Sequence, residues 1–293
     1  MMRLSGLGVA MITPFNEDGT VDYNTLDSLT EQLVKQNVDF LCVLGTTAET
    51  PTLTDEEKRM IRQHVIAKNQ QRLPILLGVS SNCTRCVVDT LKNEDLTGVD
   101  AVLVAVPYYN KPSQEGIYQH YKAIAEATSL PVVMYNVPGR TGVNMTAETT
   151  LRLARDCANI VAIKEASGNK EQILEIVTKK PQGFDVLSGD DSLTFELMQQ
   201  GVTGVVSVLG NAYPKEFAEM VHLLQQQQVT DAAIWHEKFA TLYSLLFVDG
   251  NPSGVKALMS LQAKVKNVLR LPLVPVRTTT AESLLNEMKN IKM

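Results

Sequence analysis

Eight short runs of apolar residues recur along the chain: Val9–Ile12, Phe40–Leu44, Ile75–Val79, Ala101–Val106, Val132–Met134, Ile160–Ile163, Asp185–Leu187 and Gly204–Val208. Between them the apolar positions take helical spacing. Leu26, Leu29 and Leu33 share one face; Ile117, Tyr121 and Ile124 share a second; Phe217, Val221 and Leu224 a third. Thr54 followed by Glu57 has the spacing of a capping box. Ser113 and Pro214 stand where helices can begin. Continuous runs, as opposed to period-two alternation, predict strands buried on both faces. Eight such strands alternating with helices predict an α/β fold, a (β/α)8 TIM barrel, in preference to a doubly wound sheet. Neither a GxGxxG nor a GxxxxGK[ST] segment is present to favour a nucleotide fold. The alternation stops near residue 228, at Gln225 to Gln228. The chain therefore divides into a barrel over 1–228 and a C-terminal helical extension over 229–293, whose apolar content requires a packing surface.

Composition narrows the classes without changing this picture. The chain has 293 residues, 44% hydrophobic and 20% charged, with a net charge of −5. No basic run is available to neutralise phosphates, so no nucleic-acid partner is expected. No stretch approaches the ~20 apolar residues of a membrane span. The short run Leu7 to Ile12 after Arg3 is followed by Pro14-Phe15 and not by a small-residue cleavage site, a poor match to a secretory signal. Cys83-Thr84-Arg85-Cys86 is a CxxC without a second pair or a nearby histidine, and is read as two thiols at a helix start. His64, His120, His222 and His236 show no ligand spacing. No metal is expected, and the setting is expected to be cytoplasmic.

In such barrels chemistry sits at the C-terminal ends of the strands. The residues following the apolar runs include Thr13, Gly45-Thr46-Thr47, Tyr108-Tyr109-Asn110, Tyr135-Asn136, Lys164-Glu165, Ser188-Gly189-Asp190 and Ser207. This set lacks the parts of a Ser-His-Asp triad or a metal hydrolase. Lys164 follows Ile160-Val161-Ala162-Ile163. An amine in an apolar wall is driven toward its neutral, nucleophilic form. Position alone leaves two readings open, a nucleophile or a strand-end lysine with its amine in water. Tyr135 can move protons or simply pack its ring. Gly45-Thr46-Thr47 offers a carboxylate backbone donors and two hydroxyls, or is merely a turn. Arg140 can clamp a second carboxylate or lie on the surface.

The segments Gly45-Thr46-Thr47-Ala48-Glu49, Pro107-Tyr108-Tyr109-Asn110-Lys111-Pro112, Tyr135-Asn136-Val137-Pro138-Gly139-Arg140-Thr141-Gly142, Ile163-Lys164-Glu165-Ala166 and Ser188-Gly189-Asp190-Asp191 resemble those of the dihydrodipicolinate synthase family, pyruvate-dependent class I aldolases. The resemblance spans essentially the whole chain. It implies that Lys164 forms a Schiff base with pyruvate and that the resulting enamine attacks aspartate 4-semialdehyde, on the diaminopimelate route to lysine. Tyr135, Thr46 and Tyr109 match the family's proton relay, with Tyr109 supplied by a neighbouring subunit. Thr46 and Thr47 match the pyruvate-carboxylate site, and Arg140 the semialdehyde-carboxylate site. Gly189 and Val206 match positions whose backbone lies near the ligand. The resemblance further implies a homotetramer built as a dimer of dimers, with no cofactor. A lyase for sialic acid or a keto-deoxy sugar acid is the alternative; the Thr46-Thr47 pair and Arg140 argue against it. Ala48 departs from the family's usual glycine and is expected to change the turn or to need a compatible φ. Thr50, Asp55, Lys58 and Cys86 depart from the pattern of lysine-inhibited relatives, which predicts weak or absent lysine inhibition.

Overall fold

A computed structural model describes residues 4–292. Eight strands follow one another around a closed barrel: β1 (Gly6–Ala10), β2 (Phe40–Val43), β3 (Ile75–Gly78), β4 (Ala101–Ala105), β5 (Val132–Asn136), β6 (Ile160–Glu165), β7 (Asp185–Ser188) and β8 (Gly204–Ser207). The strands pair in parallel, with Gly8 opposite Phe40, Leu76 opposite Ala101, and Tyr135 opposite Lys164. The helices are α1 (Tyr23–Lys35), α2 (Asp55–Asn69), α3 (Thr84–Asn93), α4 (Gln114–Ala127), α5 (Pro138–Thr141), α6 (Ala147–Asp156), α7 (Lys170–Lys179), α8 (Asp191–Gln199), α9 (Pro214–Gln225), α10 (Val229–Leu245), α11 (Ser253–Leu261) and α12 (Thr278–Lys292). The TIM barrel expected from the apolar runs is the observed fold. The strands are buried along nearly their whole length, as parallel strands covered on both faces must be.

The strand boundaries differ from the apolar runs for identifiable reasons. The first strand begins three residues early, at Gly6, and so takes in Gly8, whose missing side chain keeps it out of the apolar run and leaves space for the Phe40 ring; a Cβ at Gly8 would stand 2.1 Å from that ring. The second stops at Val43 because Leu44 takes a left-handed φ of 57°. The fifth and sixth run past their apolar residues to include Asn136 and Glu165, so Lys164 lies inside β6 and not beyond it. Thr54 and Glu57 form the capping box at the start of α2, and Ser113 caps α4 by accepting the Gly116 N–H.

The chain clusters into two compact units. One comprises Pro74–Val206 and holds β3 through most of β8. The other comprises Gly6–Leu73 and the chain from Ser207 onward. In the second unit, Asn211 donates from Nδ2 to Ala10 O (2.8 Å) and accepts the Ile12 N–H (3.1 Å), satisfying backbone groups at the end of β1. The C-terminal helices find their packing surface on α9, where Phe239 of α10 meets the rings of Phe217 and Tyr213. Helix α12 packs on α10 and α11.

In the same unit α9 is tied to the loop before β2. His222 Nε2 lies 2.8 Å from Asp39 Oδ2, which also accepts the Leu7 N–H at 2.6 Å. The Asp39 carboxylate raises the His222 pKa above its ordinary 6.5. A base whose folded pKa exceeds its unfolded value stabilises the fold fully below the unfolded pKa. It loses that contribution as pH rises through the folded pKa. The Tm advantage of the wild type over His222→Gln is therefore expected to be largest below about pH 6.5 and to shrink as pH rises. Thermal melts in which the difference grew with pH would contradict this.

Candidate active site

The register of β5 against β6 sorts four side chains onto two faces. Tyr135 is directly opposite Lys164, and Asn136 directly opposite Glu165. Successive strand residues point to opposite faces, so Tyr135 and Lys164 share one face while Asn136 and Glu165 share the other. On the first face Lys164 is 6% exposed, and its Nζ lies 4.3 Å from the centroid of the Tyr135 ring. The amine thus lies inside the barrel wall against an aromatic ring, not in water. Tyr135 is braced in turn: its backbone N–H meets Tyr121 Oη at 3.4 Å, and that hydroxyl donates to Val104 O at 2.8 Å.

The space beside Lys164 depends on Gly189, just past β7. Its backbone N–H donates to Glu165 O at 2.8 Å. A Cβ on Gly189 would stand 2.7 Å from Ala166 Cβ and 3.0 Å from Lys164 Cε. Only glycine permits both this backbone contact and the observed path of the lysine side chain. Val206, in β8, is buried at 1% exposure.

On the opposite face is a polar network that residue-by-residue reading of the sequence missed. Asn136 Nδ2 reaches both oxygens of Glu165 (3.1 and 3.2 Å), which also accept from Ser167 N (2.9 Å) and Gln172 Nε2 (3.1 Å). Burial pushes the Glu165 carboxyl pKa up, while these donors pull it down. Asn136 Oδ1 accepts the Met145 N–H at 3.0 Å, so the network anchors the far end of the loop containing α5. The available signal was a pair of polar residues, Asn136 and Glu165, each one step beyond a candidate site residue on its strand.

Arg140 lies in α5 with an exposed side chain. The loop after β4 is tied to α5 by Tyr109 N donating to Thr141 O (3.2 Å). Tyr109 has a φ of 72° and is 87% exposed. The structure therefore joins Tyr135, Lys164 and Gly189 in direct proximity and leaves the Tyr109 ring in solvent.

In the other compact unit, the turn after β2 runs between two left-handed residues, Leu44 (φ 57°) and Glu49 (φ 56°). Left-handed non-glycine residues concentrate where a fold holds a turn for use. Thr46–Ala48 forms a 3-10 turn, with Thr47 buried at 3% exposure and Thr46 partly exposed. Ala48 adopts no positive φ, and its carbonyl accepts from Thr13 Oγ1 at 2.7 Å. Its methyl is thus accommodated in an ordinary backbone conformation, and no special φ is needed.

Glu49 holds this turn. It is 1% exposed, and its carboxylate accepts from Lys256 Nζ (2.5 Å) and from Arg270 N (3.0 Å). Lys256 has no exposed side-chain surface, donates also to Val268 O (2.9 Å), and lies 4.1 Å from the Phe15 ring centroid. Burial pulls its pKa down to about 8, against the pull of Glu49 in the other direction. Arg270 binds Glu57 through two N–H groups (2.5 and 2.8 Å), and its guanidinium holds that carboxyl down to about 2. The C-terminal region thus reaches back to the strand-end turn through buried ions. The signal for it was a single lysine in the otherwise uncharged α11 segment Ser-Gly-Val-Lys-Ala-Leu-Met-Ser-Leu.

Cys83 and Cys86 stand at the start of α3, both free and exposed. Asp190 caps α8 with its own carboxylate, accepting the Ser192 N–H, so this turn is occupied by an anion of the chain itself. No cluster of three or more His, Cys, Asp or Glu suited to a metal occurs among the described residues. No helix among them is long and apolar enough to cross a membrane.

The model of the Dihydrodipicolinate synthetase family matches residues 3–291. The 4-hydroxy-tetrahydrodipicolinate synthase of Phocaeicola vulgatus is 65% identical over 290 residues, covering 98% of each chain. A solved monomeric dihydrodipicolinate synthase variant superposes with a TM-score of 0.95 at 40% identity, over 98% of this chain and 97% of that one. The chloride-inhibited dihydrodipicolinate synthase of Acinetobacter baumannii, solved in complex with pyruvate, gives a TM-score of 0.96 at 38% identity over 99% of both chains.

Proposed function

Because the chain belongs to the dihydrodipicolinate synthetase family, we propose that it is a lyase-type enzyme with 4-hydroxy-tetrahydrodipicolinate synthase activity and that Lys164 is its nucleophile. The observation that carries the role of Lys164 is its burial in β6 against the Tyr135 ring, with Gly189 leaving room for its tail. The neutral amine adds to the C2 carbonyl of pyruvate, and the carbinolamine loses water to give an imine. Loss of a methyl proton gives the enamine, whose carbon bonds to the aldehyde carbon of L-aspartate 4-semialdehyde. The substrate's own amine then attacks the imine carbon, closes the ring and releases Lys164. Proton movement at each step falls to Tyr135, Thr46 and Tyr109.

Thr46 and Thr47 hold the pyruvate carboxylate, and Arg140 receives that of the semialdehyde. Gly189 and Val206 present backbone to the ligand. The barrel, residues 1–228, carries the chemistry, and residues 229–293 support the Thr46-Thr47 turn through Glu49. Borohydride reduction in the presence of pyruvate, followed by peptide mapping, is expected to leave a stable adduct on Lys164. An adduct on another lysine, or none, would remove the basis of this mechanism.

The 87% exposure of Tyr109 supports a homotetramer, a dimer of dimers in which each protomer lends this ring to its neighbour. Sedimentation equilibrium is expected to return four times the chain mass of 32.2 kDa; a monomer retaining full activity would contradict it. Four free cysteines, two of them exposed, fit the reducing cytoplasm, which cell fractionation checks.

A further inference from the structure

Asn251 precedes α11 and is 6% exposed. Its Nδ2 donates to Thr47 Oγ1 at 3.1 Å. Its Oδ1 is buried and has no hydrogen-bond partner among the described residues. Leaving a buried acceptor unpaired works against stability, so packing alone is a poor reason for an asparagine here. The segments that carry the donor and its target are also tied together a second time. Lys256, on the helix that follows Asn251, is bonded to Glu49, two residues past Thr47.

A threonine hydroxyl has one proton and two lone-pair sites. An amide N–H that occupies one lone pair leaves the proton to be donated elsewhere. No other side-chain hydrogen bond of Thr47 is seen among the described residues. We propose that Asn251 is a positioning residue for the keto-acid substrate: by donating to Thr47 Oγ1 it turns the Thr47 proton toward the bound carboxylate. This rests on the reading of Thr47 as a carboxylate ligand given above. It explains why an amide stands at residue 251. A carboxylate of the same shape would accept the Thr47 proton, turn the oxygen lone pairs toward the substrate, and add a like charge.

The test is steady-state kinetics and pyruvate-dependent borohydride trapping on the full-length Asn251→Ala, Asn251→Asp, Thr47→Val and Thr47→Val/Asn251→Ala proteins. Asn251→Ala is expected to raise the pyruvate KM about tenfold, and the near-isosteric Asn251→Asp about a hundredfold, from the worth of a hydrogen bond to a charged group. The KM for aspartate semialdehyde and kcat at saturating pyruvate should stay near wild type. Asn251→Ala should add little once Thr47 is valine, because the asparagine acts through that hydroxyl.

A merely structural asparagine would behave differently. It would lower Tm and kcat, leave the pyruvate KM in place, and add its effect in the Thr47→Val background; that pattern overturns the proposal. So does Asn251→Asp with an unchanged pyruvate KM while Thr47→Val raises it, a result that leaves the reading of Thr47 standing. If Thr47→Val itself leaves the pyruvate KM unchanged while Lys164 is still trapped, both the proposal and the carboxylate reading of Thr47 fall.

Discussion

Replacing Lys164 by methionine is expected to lower kcat/KM by at least three orders of magnitude, on the order of what losing a covalent nucleophile costs. Methionine keeps most of the volume and the apolar character of the lysine stem. The Tyr135 ring against which Nζ lies at 4.3 Å therefore keeps a packing partner. The fold should be unharmed, with a Tm at or above that of the wild type, because a buried amine has been removed. Lys164→Arg should be equally inactive although it keeps a long basic side chain, since a guanidinium stays protonated and does not add to a carbonyl. Borohydride trapping with pyruvate should vanish in both variants. Retention of more than a few per cent of wild-type activity by either would mean that the carbonyl is activated elsewhere.

The second large effect is on stability and arises far along the chain from the nucleophile. Lys256→Met is expected to destabilise the fold by about 3–5 kcal/mol, the range for stripping one partner from a buried ion pair. At roughly 2–4 °C per kcal/mol this is a Tm loss on the order of 10 °C. The reason is the environment of Glu49. Its side chain, like that of Lys256, has no exposed surface. Without the ammonium, a buried carboxylate keeps, among the described residues, the Arg270 N–H at 3.0 Å as its donor. Glu49→Gln should cost less than Lys256→Met: it takes the counter-charge from the Lys256 ammonium, but the new amide oxygen and Val268 O still accept from that amine, whose pKa burial already draws down to about 8 and which can give up its proton. Thermal and denaturant unfolding of the two variants would decide it, and a loss below about 1 kcal/mol for Lys256→Met would show that the pair is solvated, as exposed ion pairs are.

Much of the fold was legible because burial writes itself into residue type. A strand covered on both faces must be apolar throughout, and eight such runs separated by helical spacing leave few architectures. The ends of those strands were less legible. Asn136 and Glu165 belong to β5 and β6 although they are polar, because each finds its partner in the other across the ladder. Hydropathy reports burial and is blind to a polar group whose desolvation is offset by a neighbour. Ala48 is a related case. Its departure from glycine signalled a changed turn or a demand on φ; the left-handed φ values fall on Leu44 and Glu49 and not on Ala48, because backbone conformation is set by the turn as a whole.

The sequence by itself determined the order of strands and helices and the barrel they close, and it singled out Lys164, Tyr135, Thr46, Thr47 and Arg140 as candidates for the chemistry. These are local properties: runs, spacings and short motifs lie within a few residues of one another. Only the tertiary structure decided that Lys164 lies inside β6 against Tyr135 and that Gly189 must lack a side chain for the lysine to lie there. Likewise, Thr47 and Glu49 are bonded to Asn251 and Lys256, more than 200 residues further along. Pairings of that separation leave no spacing to read, because what selects them is the free energy of a buried polar group, and burial is known only once the chain has closed around it.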